Sequence, residues 1–201
     1  TAAGGAATFV AADVSDSGQV AELFDRCDKA YGPPDILMNN AICAEENVME
    51  NDWQPQIDVI LKGTYECSLA AIERMQPNGG GSIVNISSVN GLFGLQGIHV
   101  YSAVKGAIIA LTKSMAVEQG RHKIRVNTIC PGSIETEVWE PVLARTPGIW
   151  DEIAAFYPLG RLGTVEDIAN CALFLASDEA SFATGAVFTI DGGLTAGNQD
   201  F

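Results

Sequence analysis

The sequence has few basic residues and more than twice as many acidic ones. Eleven Lys and Arg residues stand against 25 Asp and Glu residues in a chain of 201, which gives a formal charge of −14. Nucleic acids and anionic membrane surfaces carry negative charge themselves, so such a protein repels them. We therefore expect neither a nucleic-acid partner nor a membrane partner, and we interpret the acidity as a solvated surface, with adaptation to high salt as the alternative.

Paired cysteines and long apolar runs are missing as well. The five cysteines are isolated and form no CxxC pair, so the pattern predicts neither a metal site nor a disulfide framework and fits a reduced cytoplasm. No uninterrupted apolar run reaches the roughly 18 residues of a membrane span, and the N-terminus lacks a basic segment followed by an apolar one. With 47% hydrophobic and 18% charged residues, we expect residues 1–201 to form a single globular domain.

Short apolar runs alternate with longer segments of helical period, which indicates βαβ units around a parallel sheet. The predicted strands are Thr8–Ala12, Ile36–Asn39, Ser82–Ile86, Arg125–Ile129 and Val187–Ile190. The predicted helices are Ser17–Tyr31, Asp52–Met75, Val100–Gln119 and Val165–Ala176. The last helix follows Thr164, with Asp167 three residues later, as in a capping box.

Two polar residues share one face of a predicted helix. Tyr101 and Lys105 stand at positions i and i+4, a spacing that brings both side chains to the same side of the helix. A neighbouring ammonium favours a phenolate, so the pair predicts a tyrosine with a lowered pKa. Ser88 comes just after the end of the strand Ser82–Ile86, thirteen positions before Tyr101, at the sheet edge where α/β proteins bind ligands.

The stretch from Ser82 to Lys105, SIVNISSVNGLFGLQGIHVYSAVK, closely resembles the active-site block of the short-chain dehydrogenase/reductase family. Further segments resemble that family in the same order along the chain. They are ADV at 12–14, NNA at 39–41, PGSIET at 131–136, PLGR at 158–161 and TIDGG at 189–193.

The resemblance implies a Rossmann-like, doubly wound parallel sheet in a three-layer αβα arrangement. It also implies an oxidoreductase that uses NAD or NADP and a small carbonyl or alcohol substrate. Ser88 would polarise the substrate oxygen, Tyr101 would be the general acid and base, and Lys105 would lower the pKa of Tyr101 and bind ribose hydroxyls. The cofactor residues would be Asp13, Val14, Asn40, Ala41, Tyr101, Lys105, Pro131, Gly132, Ile134 and Thr136. Family members assemble as homodimers or homotetramers, and we expect the same here.

The sequence departs from the family in three places. The TGxxxGxG loop and the first two strands of the family sheet, about fifty residues, are not in it; we expect that this segment was omitted from the sequence or lost by truncation. Ile60 stands where the family has an Asn that supports a proton relay, and an Ile side chain forms no hydrogen bond. Ile42 stands where the family has a Gly, so a side chain could crowd the cofactor or resist a glycine-specific conformation.

Two functions follow from this pattern. The intact Ser88, Tyr101 and Lys105 favour an NAD(P)-dependent alcohol dehydrogenase or ketone reductase. Ile60, Ile42 and the missing loop favour a protein of the same fold without redox activity, such as an isomerase, a lyase, a binding or assembly partner or an inactive relative.

Overall fold

A four-stranded parallel sheet forms the centre of the molecule. The structure, a computed structural model, describes residues 4–146 and 148–197. The strands run in the spatial order β1-β2-β3-β4 and pair in parallel throughout. They are β1 (Ile36–Asn39), β2 (Gly81–Ile86), β3 (Ile124–Pro131) and β4 (Val187–Ile190).

Helices connect these strands. The α-helices of the described chain are α1 (Ser17–Tyr31), α2 (Glu45–Met49), α3 (Trp53–Pro55), α4 (Gly63–Met75), α5 (His99–Gln119), α6 (Glu140–Arg145), α7 (Ile149–Ala154) and α8 (Val165–Ala176). A π-helical segment, Gln56–Lys62, joins α3 to α4. Caps set the start of two helices: Asp16 accepts hydrogen bonds from the backbone of α1, and Thr164 and Asp167 form the predicted capping box of α8.

The two faces of the sheet bury separate clusters. Successive residues of a strand point to opposite faces, so Ile83 packs with Met115 of α5 while Val84 packs with Leu175 of α8. Helices α4 and α5 therefore cover one face and α8 covers the other. This is the predicted three-layer α/β arrangement, and it is confirmed.

The predicted strand Thr8–Ala12 is wrong. None of its residues belongs to a strand, and Phe9 is 89% exposed. A strand needs a neighbour to pair its backbone, and the outer edge of β1 has no partner strand among the described residues. Ile36 and Met38 of β1 are accordingly about half exposed.

The predicted continuous helix Asp52–Met75 needs correction too, because the chain forms α3, the π-helical segment and α4 in succession over this region. The other three predicted helices appear with bounds that agree to within one residue. Helix α5 and its short extension, His99–His122, is long and apolar enough to cross a membrane, by length and composition alone. It packs against β3 and lies between the sheet and the π-helical segment, as a core helix does.

Candidate active site at the carboxyl edge of the sheet

Ser88 leaves the end of β2 in an extended conformation and faces the start of α5. Its Oγ accepts a hydrogen bond of 3.1 Å from the backbone N–H of Asn90, and the neighbouring Ser87 donates to the carbonyl oxygen of Lys105 at 2.7 Å. Gly91 permits this close approach, since a Cβ there would lie 2.8 Å from the Lys105 carbonyl carbon. The turn after β2 is therefore fixed directly onto the backbone of α5.

Tyr101 lies in the first turn of α5, on the side of the helix that faces Ser88. Burial raises the pKa of Tyr101 to about 12, and the Ser88 hydroxyl offsets only part of this rise. At neutral pH the phenol therefore keeps its proton and is ready to act as an acid.

Lys105 lies one helical turn further along α5 and is 4% exposed. Its Nζ donates to the carbonyl oxygen of Ile86 at 2.8 Å and lies 5.6 Å from the centroid of the Tyr101 ring. Burial lowers the pKa of Lys105 to about 8. The prediction that Lys105 lowers the pKa of Tyr101 is wrong for this arrangement, because burial of the phenol dominates.

Two thiols belong to the same environment. Cys43 and Cys130 are both buried and interact electrostatically with Lys105. Burial raises the pKa of each thiol, so both are protonated at neutral pH and supply no anionic partner for the ammonium.

Asp13 and Val14 form a turn before α1 rather than the end of a strand. The Asp13 carboxylate accepts from the N–H and the hydroxyl of Ser15, so Asp13 stabilises its own turn while Asp16 caps the helix. Val14 packs against α4 at Gly63, where a Cβ would lie 2.7 Å from the Val14 Cγ2. The turn thus lies beside the helix that precedes β2.

Asn40 and Ala41 follow β1 and are both exposed. Ile42, the third residue of this segment, is 53% exposed. Among the described residues other than glycine, only Asn51 and Lys123 have a positive φ. The Ile42 backbone therefore does not need glycine, and that part of the expected conflict is removed.

The segment after β3 is held by a residue that the sequence did not point to. Tyr157 accepts a hydrogen bond of 2.6 Å from the N–H of Ser133, and a Cβ on Gly132 would lie 2.9 Å from the Tyr157 ring. Ile134 bridges to Gly163. Thr136 precedes a short 3-10 helix, and its hydroxyl makes no capping hydrogen bond to that helix.

A polar network lies beneath these strand ends. Asn39 donates from Nδ2 to the Asn85 Oδ1 at 2.8 Å and to the Ser68 Oγ at 2.9 Å. Asn85 donates in turn to the Thr112 Oγ1 at 2.9 Å. The network links β1, β2, α4 and α5, and sequence reasoning missed it because its members are far apart along the chain.

A groove borders the segment after β3. It encloses about 580 Å³ and is lined by Glu135, Thr136, Glu137, Glu140, Leu143, Trp150 and Val165. Within the connection from Ser88 to Tyr101, Leu92, Phe93 and Leu95 are between 38% and 53% exposed. Apolar side chains therefore accompany the polar site on two loops.

Ile60 is 1% exposed and packs with Val104 and Ile108 of α5. It belongs to the π-helical segment, a distortion that is frequent at functional sites. Ile60 is thus a buried apolar side chain at the position where the resembled family has an Asn.

Comparison with known proteins finds a family model, relatives and solved structures similar to this chain. The family model described as enoyl-(acyl carrier protein) reductase matches residues 1–195. The chain is 40% identical to "Inactive 2-(S)-hydroxypropyl-CoM dehydrogenase 2" of Xanthobacter autotrophicus, over 96% of this chain and 87% of that protein. It is also 40% identical to a 3-oxoacyl-[acyl-carrier-protein] reductase of Thermotoga maritima, over 90% of this chain and 74% of that protein. A solved structure of ElxO with NADP bound superposes with a TM-score of 0.88 at 35% identity, covering 94% of this chain and 79% of that one.

Proposed function

This chain belongs to the short-chain dehydrogenase/reductase family, and we propose that it interconverts an alcohol and a ketone or aldehyde through Ser88, Tyr101 and Lys105. The observation that carries the proposal is the placement of Ser88 and Tyr101 beside the buried Lys105, at the carboxyl edge of the sheet, with the Lys105 Nζ 5.6 Å from the centroid of the Tyr101 ring. In reduction, the Ser88 hydroxyl donates a hydrogen bond to the substrate oxygen and the Tyr101 phenol gives it a proton. In oxidation, Tyr101 takes that proton back.

NAD or NADP supplies or accepts the hydride when it is bound. Three residues that fit this cofactor keep hydrogen-bonding groups that could reach it. The Lys105 ammonium donates one of its three protons to the Ile86 carbonyl oxygen. Asn40 is exposed, and the Thr136 hydroxyl does not cap the helix that it precedes. We assign the adenine to Asp13 and Val14 and the ribose to Lys105. The other proposed contacts are Asn40, Ala41, Tyr101, Pro131, Gly132, Ile134 and Thr136.

We propose a small, moderately apolar substrate, on the strength of the exposed Leu92, Phe93 and Leu95 and of Trp150 in the groove. We further propose that residues 1–201 form one domain, that the protein acts in the cytoplasm and that it assembles as a homodimer or homotetramer. A sharp monomer in light scattering would contradict the last point.

The purified protein should bind NADH or NADPH, followed by nicotinamide fluorescence, and should then reduce members of a panel of ketones and aldehydes. Tyr101→Phe keeps the ring and removes the acid, so kcat should fall about 10²- to 10⁴-fold with cofactor affinity retained. A Tyr101→Phe variant as active as the wild type would refute the assignment of Tyr101.

A second candidate is a protein of this fold without redox activity. Two observations favour it: Ile60 is buried at the relay position, and a relative at 40% identity is named inactive. Under this reading the wild type is slow and Ile60→Asn raises turnover by restoring an amide. If the wild type is already as fast as Ile60→Asn, the missing amide at this position is not limiting.

A further inference from the structure

Tyr157 closes one side of the segment that follows β3. Its side chain is 3% exposed, and its hydroxyl accepts a hydrogen bond of 2.6 Å from the N–H of Ser133. The ring lies between two glycines, because a Cβ would come within 2.9 Å of it on Gly132 and within 3.2 Å on Gly192. These glycines come just after β3 and β4, so the ring fills the space that two residues without side chains leave between the strand ends.

The backbone around Tyr157 is fixed to the sheet as well. Its carbonyl oxygen accepts from the N–H of Gly160 at 2.8 Å, which forms a turn. Within that turn, the N–H of Leu159 donates to the Gly192 carbonyl oxygen at 3.1 Å. The Tyr157 hydroxyl is therefore held at one place relative to the end of β4, and from there it fixes the N–H of Ser133.

Gly163 holds the same segment by two further hydrogen bonds. Its N–H donates to the Ser133 carbonyl oxygen at 3.0 Å, and its carbonyl oxygen accepts from the N–H of Glu135 at 2.9 Å. In a parallel bridge of this kind, the residue between the two bonded ones turns its own N–H and C=O to the opposite side. The backbone groups of Ile134 therefore face away from Gly163, whereas Tyr157 lines the same small cavity as Gly163.

The direction of the Ile134 backbone groups thus depends on how Ser133 is held. A trans peptide unit is planar, with its C=O and N–H pointing in opposite directions, so fixing the Ser133 carbonyl also directs the Ile134 N–H. Tyr157 fixes the preceding peptide unit through the Ser133 N–H. A donor and an acceptor on one residue match a carboxamide, which offers a carbonyl oxygen and an NH₂ group, and the nicotinamide ring carries such a group.

We propose that Tyr157 is a positioning residue that aligns the backbone of Ile134 for the nicotinamide carboxamide. The proposal rests on the proposed function, in which Ile134 contacts the cofactor, and no step of the reaction passes through Tyr157. The ring and hydroxyl hold the segment in one conformation before the cofactor binds. Without the hydroxyl the segment has to be ordered during binding, which weakens the affinity for the nicotinamide half.

The first test compares two ligands that differ only in the nicotinamide. Calorimetric titration gives the Kd of NADH or NADPH, whichever binds more tightly, and of the matching ADP-ribose or 2′-phospho-ADP-ribose. In Tyr157→Phe we expect the Kd of the reduced cofactor to rise about three- to tenfold, as for one weakened hydrogen bond, and the Kd of the ligand without nicotinamide to stay within about twofold. An equal loss for both ligands, or no loss for the cofactor, overturns the inference.

Tyr31→Phe is the matched control. The Tyr31 hydroxyl also makes a hydrogen bond of 2.6 Å, with Thr8, and Tyr31 is the last residue of α1. Both ligands should keep their wild-type Kd in this variant. A cofactor weakened to the same extent by Tyr31→Phe would show that the effect is not particular to the segment after β3, and would overturn the inference too.

The second test needs neither turnover nor a ligand. Hydrogen exchange of the Ser133 amide, followed by NMR, should be at least about tenfold faster in Tyr157→Phe than in the wild type, because the amide loses its acceptor. An unchanged exchange rate overturns the inference whether or not the protein is active. An inactive wild type in which Tyr157→Phe still weakens the reduced cofactor selectively overturns the proposed reaction instead and supports the role of Tyr157.

Discussion

The ends of β2 and β1 both contribute to the site, but they are held very differently. After β2, Ser88 and Lys105 are buried and are hydrogen-bonded to neighbouring backbone groups. After β1, Asn40 and Ala41 are exposed. The groups proposed to bind the substrate oxygen and move protons therefore belong to the core, whereas the residues proposed to contact the nucleotide lie on the surface. Substitutions after β2 should therefore lower the free energy of unfolding more than substitutions after β1.

The largest effect should come from Lys105 and should depend on pH. Burial lowers the pKa of Lys105 from 10.5 to about 8, so between these values the folded chain binds fewer protons than the unfolded chain and the free energy of unfolding rises with pH. Below about pH 8 the full cost of burying the ammonium applies. Relative to Lys105→Met, the wild type should gain about 3 kcal/mol as the pH rises from about 7 to about 10.5, measured by urea unfolding. If the free energies of unfolding of the wild type and of Lys105→Met change with pH in the same way, solvent reaches the Lys105 ammonium.

The second-largest loss of stability should come from Asn85 in β2, compared with Asn40 after the end of β1. Asn85→Leu removes the acceptor of Asn39 and the donor to Thr112, and should lower the free energy of unfolding by about 2–3 kcal/mol. Asn40→Leu alters an exposed side chain and should change it by less than about 0.5 kcal/mol. Chemical denaturation of both variants tests the contrast. Equal losses would show that the end of β1 is as firmly held as that of β2.

A smaller effect is expected from two glycines. In Gly91→Ala the new Cβ meets the backbone of α5, 2.8 Å from the Lys105 carbonyl carbon and 2.9 Å from the Gly106 nitrogen. Because a helix backbone yields little, we expect a loss of about 2 kcal/mol together with a lower kcat as Ser88 moves. In Gly63→Ala the new Cβ lies 2.7 Å from the Val14 Cγ2 and 3.1 Å from the Val14 carbonyl oxygen. Because Val14 belongs to the turn before α1, which shifts more easily than a helix backbone, and because alanine favours the helix, the net change should stay below about 1 kcal/mol. A greater loss for Gly63→Ala in thermal unfolding would reverse the comparison.

The smallest effect should be that of Met38→Thr, at less than about 0.5 kcal/mol. Met38 is 45% exposed, whereas its register partner Val84 is fully buried. Val84→Thr is therefore the matched control, and the buried hydroxyl should cost about 1–3 kcal/mol. Urea titration of the two variants compares both sides of the same strand pair. A large loss in Met38→Thr would indicate that another surface covers β1.

The elements that the sequence predicted well are those with local determinants. Helices α1 and α8 have the predicted bounds because Asp16, Thr164 and Asp167 cap them through nearby backbone groups. Strand Thr8–Ala12 failed because a strand also depends on a neighbour, and apolar composition does not reveal one. The π-helical turns at Gln56–Lys62 were missed because the side-chain period is close to that of an α-helix.

The candidate site follows the same division. Tyr101 and Lys105 share a helix, so their spacing predicted their proximity, and the position of Ser88 at a strand end predicted its meeting with them. The contact of Tyr157 with Ser133 joins residues 24 positions apart, and nothing in the local sequence marks it. The direction of the Tyr101 pKa was also beyond the sequence, because it depends on how deeply α5 is buried.

The connection from Ser88 to Tyr101 is anchored at both ends and open in the middle. Gly91 lies against the backbone of Lys105, and Asn51 binds the Gly97 carbonyl oxygen and the N–H of Val100. Between these anchors, Leu92, Phe93 and Leu95 are exposed. Under the proposed function, mutations in that short interval should alter which molecules are accepted while Ser88, Tyr101 and Lys105 stay in place. Selection would then diversify substrate preference at constant chemistry, and a designer could randomise the same few positions for that purpose.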